Sequence, residues 1–307
     1  MKKTYRDIGN NRLEELGKVS RGEPVPMGVP TGIRLWDKNK GLTRACVHLV
    51  AGDSGEGKDF VKLALQQGAA KAGHRVEVFD LEDPARETAD RSLAALSGLR
   101  LGEIKGKVTK AQVAKLTNAW EDATWPDLIT YHDEVESADA VIEALEESDA
   151  ELVILNYLQL VPESPGENLE TTLRRLARAA MKWAKRAGPK NAKGEPTGGA
   201  FVALSQVKAN VSERGLAWYQ RNASRGYPTA IEGYRPGPGK SSIAWCGAWG
   251  ERAKSVTYLH RPGRWGKHHG FEVEDNVMHL LQDKASFGRE GAIIVGFDPD
   301  HGRIYDL

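Results

Sequence analysis

The chain has 307 residues, enough for one large or two modest domains with a sizeable core. Its 43 basic and 42 acidic residues leave a net charge of +1, so overall charge points to no partner and any nucleic-acid site must come from a local patch. Two cysteines, Cys46 and Cys246, exclude a disulfide framework and a cysteine zinc cluster and suit a reducing cytoplasm; with no 18-residue apolar run and no signal-peptide core, a soluble, cytoplasmic protein without a membrane partner is expected.

Residues 1–27 place Ile8, Leu13 and Leu16 among charges and end in a Pro-rich turn. This weakly amphipathic, linker-like helix cannot form a core by itself, so it folds back on the main domain or docks on a neighbouring subunit. Residues 28–307 show no internal repeat and no linker that cuts them into two domains. Within them, strand candidates VHLVAG, VEVFDLE, LITYH, ELVILNYLQLV and AFVALSQ alternate with helix candidates at 60–72, 86–97, 103–122, 138–147 and 170–187. This rhythm predicts an α/β fold with a mostly parallel sheet and helices on both faces. Two irregular segments, 188–199 and 208–240, interrupt it, and the chain closes with SVTYLHR, VMHLLQD and GAIIVGFDPDHGRIYDL, strands expected to pair at the sheet's edge.

The centre of the pattern is residues 52–59, GDSGEGKD, one residue away from the phosphate-loop pattern G-x-x-x-x-G-K-[ST]. It follows an apolar strand and opens a helix, as the motif requires. Gly52, Asp53, Ser54, Gly55, Glu56 and Gly57 form the turn, whose backbone N–H groups can face an anion, and Lys58 can reach the outer phosphates of ATP. The position that normally offers magnesium a hydroxyl is Asp59.

A second feature is the loop at 208–240. Lys208, Arg214, Arg221, Arg225, Arg235 and Lys240 face only Glu213 and Glu232, with Trp218, Tyr219, Tyr227 and Tyr234 interleaved. Basic groups follow a phosphate backbone and aromatic faces stack on bases without reading sequence, which fits single-stranded DNA; a solvated loop is the alternative. Lys190 and Lys193 form a weaker candidate patch. Trp245 and Trp249 are spaced to share a helix face, so packing explains them better than base stacking. His260, His268 and His269 lack partners at metal-ligand spacing.

The order of GVPTGIRLWDKNKGL, the phosphate loop, FDLEDP with Arg91 downstream, ILNYLQL, ALSQ and the closing strands resembles the ATPase domain of DnaB-type replicative DNA helicases, relatives of RecA. The resemblance spans roughly residues 8–307, and the family's separate N-terminal helical domain has no counterpart in it. It implies a RecA-like core, a hexameric ring with ATP between neighbouring subunits, and single-stranded DNA held in the central channel. In its terms Glu82 polarises the attacking water, Gln206 senses the γ-phosphate, and Lys284 acts across the subunit interface. The arginine expected two residues after that lysine is Ser286, with Arg289 nearby as a substitute; such fingers are worth about 10³ to 10⁵ in rate. By analogy, the relaxed motifs suggest a phage or mobile-element origin.

The same resemblance expects a magnesium-side aspartate where this chain has Asn156. With Asp59 and Asn156 together, carboxylate and neutral group have exchanged sides and the formal charge at the metal is unchanged. One reading is a charge-swapped magnesium site, with Asp59 as a direct ligand and Asn156 holding a metal-bound water. The other is drift after loss of turnover, leaving a DNA-binding or scaffold protein in which Asp59 repels phosphate, at about 4 kcal/mol for unit charges about 4 Å apart at an effective dielectric of 20.

Overall fold

Alternation along each strand decides which face its side chains meet. The computed structural model describes residues 4–22, 28–38, 40–190, 194–207, 247–264, 276–284 and 291–307. In β3 (Cys46–Gly52), Val47, Leu49 and Ala51 join one core cluster while Val50 joins the other. The same split runs through β6 (Leu152–Asn156) and β7 (Ala200–Gln206): Val153, Leu155, Phe201 and Ala203 face one way, Leu152, Ile154, Val202 and Leu204 the other. Both faces are therefore buried, which is why these segments read as nearly continuous apolar runs.

The remaining elements in chain order are α1 (Tyr5–Ser20), β1 (Gly28–Val29), α2 (Arg34–Lys38), β2 (Leu42–Thr43), α3 (Lys58–Lys71), β4 (Val76–Asp80), α4 (Ala85–Ser97), α5 (Leu101–Ile104), α6 (Lys110–Glu121), β5 (Ile129–His132), α7 (Ala138–Glu147), α8 (Leu169–Arg186), a short helix Gly247–Arg252, β8 (Ser255–His260), β9 (Val277–Lys284), β10 (Gly291–Asp298) and β11 (Arg303–Asp306). The main sheet has the order β11-β10-β9-β8-β3-β7-β6-β4-β5. Strands β8, β3, β7, β6, β4 and β5 run parallel. Strands β9, β10 and β11 continue the sheet antiparallel from β8 to one edge. This is the mostly parallel RecA-like sheet with an antiparallel closing extension that the sequence leads one to expect.

Two elements differ from the sequence reading. The segment 103–122 is not one helix: α5 ends before Gly106, and Thr109 opens α6 with a reciprocal cap, its Oγ1 accepting the Gln112 N–H at 3.3 Å and its own N–H donating to Gln112 Oε1 at 2.9 Å. The run ELVILNYLQLV is a strand only to Asn156, after which a cis peptide leads to Tyr157 and Leu158–Leu160 form a 3₁₀ turn.

The GVPTG entry is held against the back of the phosphate-loop helix. Thr31 donates its N–H and Oγ1–H to Asp37 Oδ1 at 2.7 and 2.8 Å. A Cβ on Gly68 of α3 would lie 2.3 Å from Gly32 N, so the close approach requires a glycine there. On the opposite face Trp249 is fully buried, and its Nε1–H donates to Leu173 O on α8 at 2.9 Å. This is the packing role expected for it; Trp245 lies outside the described residues. No helix among the described residues is long and apolar enough to cross a membrane.

Trp249→Ala removes that volume and the α8 hydrogen bond together, and a loss of about 3–5 kcal/mol is expected, read as a lower midpoint in urea denaturation with the slope unchanged.

Candidate nucleotide site

The phosphate loop leaves β3 at the centre of the sheet and turns directly into α3. Gly57, the residue before the helix, sits at φ 88°, where a Cβ would also come within 2.6 Å of Met278 Cε. The N–H groups of Lys58 and Asp59 open α3 with no preceding helical carbonyl to bond, while the Phe60 N–H already donates to Gly57 O at 3.2 Å. Lys58 is buried and lays its Nζ along the loop, 3.4 Å from Gly52 O, 3.3 Å from Asp53 O and 5.6 Å from the centre of the Tyr157 ring. Burial lowers the Lys58 pKa, opposed by the charges of Glu82, Asp59, Asp53 and Glu56. Asp53 steadies the turn by accepting the Ser54 N–H at 2.8 Å.

The turn after β8 braces the loop from the other side. Glu56 is buried; its Oε2 accepts the Arg261 N–H at 2.5 Å and its Oε1 lies 3.4 Å from Arg264 Nη1. Arg261 Nη1 donates to Gly55 O at 3.1 Å, and Arg264 donates to Ser54 O. Arginines hold the outside of the turn while glycines and Lys58 form its inside, a donor set that fits a polyphosphate. Neither arginine stands out in sequence, since both lie in a Gly/Pro-containing turn far from the motif.

Strand register builds the candidate metal side. Asp80 and Asn156 are partners across β4 and β6, so their side chains emerge on the same face, and Asp59 and Lys62 on α3 lie above them. Asn156 Nδ2 donates to Asp59 Oδ1 at 3.2 Å and to Asp80 Oδ1 at 2.8 Å. Lys62 is buried; it donates to Asp80 Oδ2 and sits 3.4 Å from Asp59 Oδ1. Tyr131 on β5 also donates to Asp80 Oδ2. Burial alone would raise the Asp80 carboxyl; the Lys62 charge, with hydrogen bonds from Lys62, Tyr131 and the Asp83 N–H, outweighs it and holds the group below the usual carboxylate range. The sequence reading found Asp59 and Asn156 and missed Lys62, Asp80 and Tyr131.

These residues fit a hard divalent cation. Asn156 Oδ1 is buried and lacks a hydrogen-bond partner among the described residues, and the contacts of Asp59 with Asn156 and Lys62 both fall on Oδ1. No group of three or more His, Cys, Asp or Glu among the described residues could hold a metal. Magnesium does not need one: one or two carboxylates plus substrate phosphates and waters suffice. His260 lies in β8, buried beside His279, with ring centres 6.0 Å apart. It is a core histidine.

Glu82 lies two residues beyond β4 on the exposed rim, its N–H donating to Asp80 Oδ1 at 3.2 Å. Burial of part of its carboxyl and the neighbouring Asp59 charge raise its pKa, with Lys58 opposing them. Gln206 ends β7 in register with Gly52, at the mouth of the loop. Its backbone is clamped by Gln159, whose Oε1 accepts the Gln206 N–H at 3.0 Å and whose Nε2 donates to Gln206 O at 3.3 Å. Lys284 is the last residue of β9. Arg289, the position of Ser286, and the candidate DNA residues from Lys208 to Lys240 lie outside the described residues, as does Lys193.

A central parallel strand, a glycine-rich phosphate loop and a lysine at the start of the next helix define a RecA-like P-loop domain. The model of the DnaB-like helicase C-terminal domain matches residues 28–215, and the chain belongs to that family. Among solved structures, an ATPase domain superposes with a TM-score of 0.77 at 17% identity, covering 98% of each chain. A DnaB-like replicative helicase, solved in work on its interactions with primase, gives 0.76 at 18% identity, over 100% of this chain and 68% of that one. A RadB recombinase is more distant, at 0.52 and 14% identity over 91% and 99% of the two chains. No curated protein sequence matches.

The Glu82 environment has a measurable consequence. A carboxyl whose pKa is raised on folding costs stability wherever it is ionised in both states, and costs nothing below its ordinary value of 4.5. Glu82→Gln is therefore expected to raise the melting temperature at pH 7, with the gain fading as the pH falls through the raised pKa toward 4.5, as followed by thermal melts across pH.

Proposed function

We propose that the chain is an ATP-dependent helicase or translocase domain of DnaB type, acting on single-stranded DNA in replication or recombination. The observation that carries this reading is the meeting of the phosphate loop and Lys58 with Asp59, Asn156 and the Glu82 rim at the C-terminal ends of the parallel strands. Ligands of open α/β sheets bind at that edge.

In this reading the loop N–H groups and Lys58 hold the ATP phosphates, and Glu82 accepts the proton of the attacking water, helped by a raised basicity. Gln206 beside Gly52 responds to loss of the γ-phosphate without adding charge. Asp59 and Asn156 hold magnesium, which when bound offsets phosphate charge during transfer. Lys284 and Arg289 act on the neighbouring subunit's nucleotide in a hexameric ring, and the basic, aromatic loop at 208–240 holds single-stranded DNA. The protein works in the cytoplasm.

The 3.4 Å contact between Lys62 and Asp59 favours a second reading, in which Asp59 is already partnered and the chain binds nucleotide or DNA without turnover. ATP hydrolysis assayed with and without magnesium and single-stranded DNA separates the two. The helicase reading expects magnesium-dependent turnover stimulated by single-stranded DNA and lowered about a hundredfold or more by Glu82→Gln. Intact ATP binding with no hydrolysis selects the second reading. Equally tight ATP binding with and without magnesium would remove Asp59 and Asn156 as a metal site.

A further inference from the structure

The Lys62–Asp80 pair is more than a buried ion pair, because it is wired into the metal side of the site. Asp80 is fully buried and accepts from Lys62, from Tyr131, from Asn156 Nδ2 at 2.8 Å, and from the N–H groups of Glu82 and Asp83 at 3.2 Å each. Lys62 reaches past it to Asp59, one helical turn earlier on α3. Two carboxylates and one ammonium thus leave one net negative charge beside the phosphate loop. The amide of Asn156 has one allowed orientation: both carboxylates accept on its Nδ2 side, and a flipped amide would set its oxygen against two anions. Its Oδ1 is consequently turned away from them, buried and lacking a hydrogen-bond partner among the described residues.

We propose that Lys62 and Asp80, with Tyr131, are positioning residues of the cation site: they set its net charge at minus one and aim the Asn156 amide oxygen at a divalent cation or its bound water. The idea rests on the reading of this edge as a magnesium–nucleotide site. It goes beyond the exchange of Asp59 and Asn156, because the charge presented to the cation is set by a lysine and a second aspartate that touch neither nucleotide nor, in this reading, metal. The pair also solves a problem that the exchange creates. A carboxylate on the phosphate loop repels phosphate, and the Lys62 ammonium tempers that repulsion while the remaining negative charge still selects a cation.

The test reads metal directly: uptake of Mn²⁺ by the purified chain in the presence of ADP, followed at pH 8 by loss of the free-ion electron paramagnetic resonance signal. Lys62→Met removes the ammonium 3.4 Å from Asp59 Oδ1 and is expected to tighten Mn²⁺ binding about tenfold, because the Asp59 carboxylate then meets the cation without that opposing charge. Asp80→Asn makes the site neutral and is expected to weaken binding about tenfold. The double variant restores the net charge and is expected within about threefold of the wild type. A pair that served only the fold would shift both single variants in the same direction or neither, and either result overturns the inference. Should Lys62→Met fail to fold, Asp80→Asn against the double variant carries the test, and no recovery in the double variant overturns it. Wild-type protein that takes up no more Mn²⁺ than ADP alone overturns the nucleotide–metal reading itself, and this inference with it.

Discussion

One ammonium, that of Lys62, stands between the carboxylates of Asp59 and Asp80 in the interior beneath the phosphate loop. Taking such charges out of water costs several kcal/mol per ion, and removing one partner of a buried pair costs about 3–5 kcal/mol because the other is left uncompensated. The arrangement is tolerable here because Asp80 is satisfied from every side, by Lys62, Tyr131, Asn156 and two backbone N–H groups. These donors come from α3, β5, β6 and the turn after β4. A single carboxylate therefore ties the phosphate-loop helix to the strand that carries Asn156 and to the turn that carries Glu82.

The outside of the phosphate loop is held by a different set of charges. Arg261 and Arg264, from the turn after β8, bond the carbonyls of Gly55 and Ser54 and converge on the buried Glu56. Arg261 also lies 3.9 Å over the Phe297 ring of β10. The antiparallel extension is thus part of the site's support: β9 and β10 supply Met278 and Phe297 against Gly57 and Phe60. Glu56, an acidic residue within the phosphate loop, thus anchors the chain where it leaves the neighbouring strand β8.

Much of the fold was legible because its signals are local. Continuous apolar runs such as VHLVAG and AFVALSQ correspond to β3 and β7, and the helix candidate at 138–147 coincides with α7. The misreadings are local too: Gly106 and the Thr109 cap divide 103–122, and the polar Asn156 and Gln159 stop a strand that hydropathy would carry through Val161. The site was half legible. Gly52 to Asp59 are contiguous and carry their chemistry on their face, and Asn156 sits in a motif of its own. Lys62 reads as an ordinary polar position on an amphipathic helix, and Asp80 as a strand end, because nothing adjacent to either in sequence reveals the other.

Sequence alone determined the element order, the phosphate loop and the exchange of Asp59 against Asn156, since each depends on residues within a few positions of one another. Tertiary structure decided what that exchange means. Asp80 meets Asn156 only because β4 and β6 pair in one register; a slip of one residue would turn either side chain to the opposite face of the sheet. Lys62 reaches Asp59 by helical spacing alone, but it meets Asp80 only because α3 lies across those strands with that face down. Register and helix packing are long-range properties of the folded chain, and they decide which charges gather around Asn156.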